Sequence, residues 1–81
     1  MRAIDHVTER FPELASPARK LYLRDDRFRS ICEDLALAID SLRSFERRSD
    51  APFRPEIEDY RRVLSELDAE LVAYLRDNPA G

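Results

Sequence analysis

Glycine is almost missing from this chain: the single one is Gly81. Without internal glycine there are few low-energy positions for positive φ, so tight β-hairpins and glycine-rich loops are not expected. The same gap removes phosphate-cradling loops and dinucleotide fingerprints, both of which need glycine where backbone meets phosphate. It also removes EF-hand loops, which need a central glycine. Cysteine and histidine are nearly as scarce, with Cys32 and His6 the only examples. One cysteine forbids an internal disulfide, and one of each cannot build a four-ligand zinc site. No long uncharged apolar run occurs, so no transmembrane helix is expected. The opening stretch MRAIDHVTER carries early acids and no apolar centre. It does not read as a secretory signal, and the expected location is cytoplasmic, with no membrane partner.

The charge balance excludes little more, but it sets a direction. Net charge is −3, which provides no general attraction to nucleic acid or anionic lipid. Charged residues make up 38% and apolar residues 43%, too much apolar content for a disordered chain. A chain of 81 residues is one small domain that buries only about 60% of its unfolded surface. With no disulfide or metal available, self-association or a protein partner is the expected further support.

With glycine absent, proline punctuates the chain, at Pro12, Pro17, Pro52, Pro55 and Pro79. Between these the apolar spacing is helical. In RFRSICEDLALAIDSLRSFERR, residues Phe28, Ile31, Leu35, Ala38, Leu42 and Phe45 advance by threes and fours, and Cys32 and Ile39 widen the stripe. The other face carries Arg29, Glu33, Asp34, Asp40, Arg43 and Arg47. Asp25 or Asp26 suits the cap and the positive end of the helix dipole. In PEIEDYRRVLSELDAELVAYLRD, residues Ile57, Tyr60, Leu64, Leu67, Leu71 and Tyr74 repeat the pattern. Pro55 fits a first turn, Glu58–Arg62–Glu66 are spaced for solvent-side ion pairs, and Asn78-Pro79 ends the helix. The connector is short, so the two helices are expected to fold back antiparallel.

The first third is broken by prolines. Ile4, Val7, Phe11, Leu14, Ala18 and Leu21 hold the three-four spacing through ERFPEL and ASPARK. Proline lacks the N–H and pushes the residue before it out of the α region. The spacing predicts a short helix to about Arg10, a break at Phe11-Pro12, and a second short helix capped by Ser16. One long bent helix is the competing reading. The expected fold is all-α: an antiparallel, coiled-coil-like helical hairpin with a short N-terminal arm broken at prolines. It forms a single domain over residues 1–81. Within it, 1–24 is the arm, 25–48 the first hairpin helix, 49–54 the connector, 55–76 the second helix and 77–81 a tail.

His6, FPEL at Phe11 to Leu14, Leu21, DDRF at Asp25 to Phe28, and LDAELVAYL at Leu67 to Leu75 occur in a distinctive order. This order resembles the YdcH-like family of short bacterial proteins, which have no established activity. The resemblance runs from about His6 to Leu75. It implies a helical hairpin and carries no mechanism.

The residues offer little chemistry. His6 is expected as a surface or capping histidine rather than a base, and Cys32 as a core side chain rather than a reactive thiol. The acids read as a solvated face, because the Glu-x-x-His pairs of di-metal bundles are missing. No catalytic residue, cofactor or metal is expected. The stripe on the first hairpin helix is wider than a two-helix seam needs. Its third row calls for another neighbour: the arm, a second copy or another protein. The expected function is therefore a non-catalytic protein–protein or self-association module, with a homo-oligomer or a protein partner. Phe11, Leu14, Leu21, Phe28, Ile31, Leu35, Leu42, Leu64, Leu67 and Leu71 are the candidate interface or core. The alternative is a nucleic-acid-associated protein using RKLYLRDDRFR. That stretch holds five basic residues and two aromatics, with Arg19, Arg24, Arg27 and Arg29 as phosphate contacts.

Overall fold

A computed structural model describes residues 2–47 and 55–79, the side chain of Glu56 excepted. The expected connector at 49–54 lies outside these residues. The chain is all-α. Helix α1 spans Ala3–Arg10, a 3-10 turn follows at Pro12–Leu14, then come α2 (Ala15–Arg24), α3 (Asp26–Glu46) and α4 (Pro55–Asp77). No described residue has positive φ, as suits a chain whose only glycine is Gly81.

The long helices α3 and α4 pack against each other as a hairpin. Their register follows from three cross-links. Phe28 stacks on Tyr74 with ring centroids 5.9 Å apart, Phe45 meets Tyr60 at 5.3 Å, and Arg61 reaches Glu46 at 3.3 Å. Early α3 thus lies beside late α4, and late α3 beside early α4, which is the antiparallel arrangement. The seam is built from Phe28, Leu35 and Leu71, all inaccessible to solvent, with Leu64 and Leu75 alongside. Burying a side chain of this size contributes about 1.5–3 kcal/mol relative to leaving it exposed.

The arm packs on its own hairpin. Helix α1 lies along α3, and Ile4, Val7, Ala18 and Leu21 join the same apolar cluster as the seam. The third row of α3 therefore finds its neighbour within the chain. Arg10 on α1 clamps Asp68 on α4 through both guanidinium edges, Nε donating to Oδ1 at 3.1 Å and Nη2 to Oδ2.

Three expectations are corrected, and the expected break at Phe11-Pro12 is present where the competing reading had one bent helix. Ser16 does not cap α2: the 3-10 turn feeds straight into the helix, with Leu14 at the cap position and no side-chain bond. Pro17 falls in the first turn, where a missing N–H breaks no intrahelical bond. One continuous bent helix is not formed, because Phe11 leaves the α region at φ −129°, ψ 69°. His6 is not on the surface but 3% exposed, with Nε2 3.7 Å from Oδ1 of Asp40. On α4 the ion pairs run at i,i+3, Arg61 with Glu58 and Arg62 with Asp59, in place of Glu58–Arg62–Glu66. The helix ends as expected at Asn78, whose backbone and side-chain N–H groups both donate to the Tyr74 carbonyl.

Candidate docking surface

The residues singled out from periodicity are mostly interior. Leu21, Phe28, Ile31, Leu35, Leu64 and Leu71 are buried. Phe11, Leu14, Leu42 and Leu67 are half-buried and pack against them. Together they form one core rather than an outward interface. Cys32 is fully buried, and burial, aided by the neighbouring Glu33 charge, pushes its thiol up to about 12. Such a thiol is not a nucleophile at neutral pH. Among the described residues no cluster of three His, Cys, Asp or Glu side chains forms a metal-holding group. Nor is any helix there long and apolar enough to cross a membrane.

The apolar surface lies on residues outside that set. Leu23 is 77% exposed, Leu37 68% and Val63 42%. Leu37 and Val63, with Tyr60, Leu67, Asp34 and Ser41, line an open groove of about 400 Å³ between α3 and α4. Acids frame it. Glu33 and Asp34 precede Leu37 by four and three residues, and Glu66 and Glu70 follow Val63 by three and seven. Those spacings put each acid on the same helix face as its leucine or valine. All four are exposed and have no ion-pair or hydrogen-bond partner among the described residues. Helix α4 as a whole holds seven acids against three arginines.

Helix α2 shows the opposite pattern. It contains Arg19, Lys20 and Arg24 and no acid. Arg19 and Lys20 lie four and three residues before the exposed Leu23, on its face, and Arg24 follows it; all three are exposed and without a partner among the described residues. The proposed phosphate contacts are thus only partly brought together. Arg29 is engaged elsewhere: its guanidinium lies 5.7 Å from the Tyr22 ring centroid, Nε donates to the Tyr22 carbonyl at 3.1 Å and Nη1 to Asp26 at 2.9 Å. Arg27 is exposed and acts on Asp25 through charge.

Where α2, α3 and α4 meet, Asp25 ties the three helices together through its N–H and its carboxylate. Its N–H donates to Leu21 O at 2.9 Å, closing α2. Its Oδ1 accepts from Phe28 N–H at 2.9 Å, opening α3. The Tyr74 hydroxyl donates to Oδ2 at 2.8 Å and lies 3.0 Å from Oδ1. The Phe28 N–H first, then the Tyr74 hydroxyl, hold the carboxyl below the usual carboxylate range. The same hydrogen bond, then burial, raises the Tyr74 phenol above its ordinary value.

Leu37, Val63 and Leu23 escaped the periodicity argument because they fall beside the stripe. The available signal was their charge context: acids three and four residues before Leu37, cations three and four residues before Leu23. No protein-family model, curated protein or solved structure matches the chain, so the YdcH-like resemblance rests on the residues quoted for it alone.

Proposed function

We propose that the chain is a non-catalytic helical interaction module whose working surface is the groove of Leu37 and Val63. The observation that carries this reading is the combination at that groove of exposed large apolar side chains and unpaired acids, on a molecule whose remaining stripe is consumed by its own core. Exposed apolar groups rimmed by charge are the anatomy of a protein-binding patch. The test is a photo-cross-linking side chain introduced at Leu37 in living cells, with Asp77 as the control position. The expected result is a discrete protein adduct from position 37 and none from 77. No adduct from 37 overturns the reading.

A second reading is favoured by the three cations and no acid on α2. Here Arg19, Arg24 and Arg27 contact phosphate. Its check is a mobility shift of single-stranded RNA or DNA that weakens steeply with salt and is lost in Arg19→Glu/Arg24→Glu. Binding that ignores those substitutions removes it.

A further inference from the structure

We infer that the occupant of the acid-rimmed groove is helix α2 of a second copy of this chain. The inference rests on the docking reading above and names its partner. The two surfaces are complementary in chemistry. The groove presents Leu37 and Val63 with Asp34 in its lining, and the exposed Glu33, Glu66 and Glu70 lie at helical spacing on the same two helices. The exposed face of α2 presents Leu23 with Arg19, Lys20 and Arg24. Each side has an apolar centre and unpaired charge mainly of one sign, opposite between the two; the acid beside Leu23, Asp5, lines the same hollow as Arg2 and Arg19 and accepts from the Arg2 N–H. Opposite rims steer encounter and fix register, while like-charged pairings are disfavoured. The alternative of groove against groove brings acid to acid, and α2 against α2 brings cation to cation.

The two surfaces share no residue, so the contact is heterologous. Each copy offers one donor helix and one acceptor groove, and repetition closes a ring or extends a chain. A ten-residue helix on a shallow groove is a small interface of the transient class, with dissociation constants in the micromolar range rather than below. It depends on exposed charges and therefore weakens with salt. The Debye length falls from about 10 Å at about 0.1 M to about 3 Å at about 1 M.

Analytical ultracentrifugation of the full chain tests this. At low salt the average mass should rise with concentration, and high salt should weaken association, because the opposed rims are exposed charges. Leu23→Asp, at an exposed position, should abolish association while leaving the helical circular dichroism spectrum intact. Lys20→Glu/Arg24→Glu and Asp34→Lys/Glu70→Lys should each do the same. Arg19→Glu/Lys20→Glu/Arg24→Glu combined with Glu33→Lys/Asp34→Lys/Glu66→Lys/Glu70→Lys on one chain should restore it, because the signs are then exchanged on both faces. A monomer up to about 1 mM overturns the inference. So does association indifferent to Leu23→Asp, which indicates a groove-to-groove contact, and so does association that nuclease treatment removes. Cross-linking from position 37 separates the two readings. An adduct with a different protein, from a monomeric chain, overturns the second-copy assignment and keeps the docking surface. No adduct at all removes both.

Discussion

Among the described residues two joints separate consecutive helices, at Phe11-Pro12 and at Asp25, and they are built by different physics. At Phe11-Pro12 the joint is made by subtraction. Proline has no N–H and excludes Phe11 from the α region, so α1 stops. The joint itself is held by backbone bonds, Phe11 N–H to Val7 O and Leu14 N–H to Phe11 O, both 2.9 Å. At Asp25 the joint is made by convergence. One residue closes α2, caps α3 and accepts the Tyr74 hydroxyl of α4. A proline joint stops a helix without saying where the next one goes. A shared polar cap both stops a helix and ties the next one to a third.

This contrast predicts unequal sensitivity beside the two joints. Phe28 follows Asp25, is wholly buried and stacks on Tyr74. Phe11 precedes Pro12 and is only half-buried. Phe28→Ala should lower stability by about 3–5 kcal/mol, close to the whole stability of a small domain, and Phe11→Ala by less than about 3 kcal/mol. Urea denaturation of both variants checks this. Equal losses would mean that the proline joint is as deeply anchored as the aspartate joint.

The difference also explains what could be read in advance. The seam positions Phe28, Ile31, Leu35, Leu64 and Leu71 are visible because burial on a helix imposes three-four spacing. The break at Phe11 is visible because proline acts on its immediate neighbour. The Asp25–Tyr74 bond spans 49 residues, and the Arg10–Asp68 clamp 58. Both depend on helix register and on where the arm lands, and periodicity specifies neither. The burial of His6 is hard to read from sequence for a related reason. It sits beside Val7, in phase with Ala3, so α1 buries a second row whose members are small or polar and do not register as apolar. The docking candidates Leu23, Leu37 and Val63 were passed over because a stripe argument selects what faces inward.

The second prediction concerns charge at the aspartate joint. The folded carboxyl of Asp25 titrates below its ordinary range, so its contribution is complete above about pH 4 and is lost as pH falls through the lowered folded value. The folded phenol of Tyr74 titrates above its ordinary range, so its contribution is complete below about pH 10 and is lost as pH rises through the raised folded value. Asn is itself a competent N-cap, which makes Asp25→Asn a probe of the charge rather than of the cap. Wild type should melt several degrees above Asp25→Asn and Tyr74→Phe on a plateau between about pH 5 and about pH 9. The gap should narrow on the acid side, and the Tyr74→Phe gap should also narrow on the alkaline side. A gap independent of pH across the acid limb would show that the carboxylate charge contributes nothing to the joint.

The smallest effect is expected at the proline joint itself. Pro12 opens the 3-10 turn, a position that needs no N–H, and its ring presets φ there. Replacing it by alanine removes no contact that the folded chain makes through a donor. It mainly enlarges the unfolded ensemble, a loss of about 0.4–1 kcal/mol. Alanine also permits α1 to continue through Phe11. That continuation is opposed by packing, because a straight helix would draw Ala18 and Leu21 out of the core they share with Ile4 and Val7. It is also opposed by the Arg10–Asp68 clamp, which holds the end of α1 against α4. Pro12→Ala should therefore melt slightly lower, with unchanged helical circular dichroism and unchanged amide protection from Ile4 to Leu21. If instead helicity rises while protection falls at Ala18 and Leu21, the proline alone was holding the bend. The arm would then be a helix interrupted by one residue, and the two joints would differ even more than their bonds suggest.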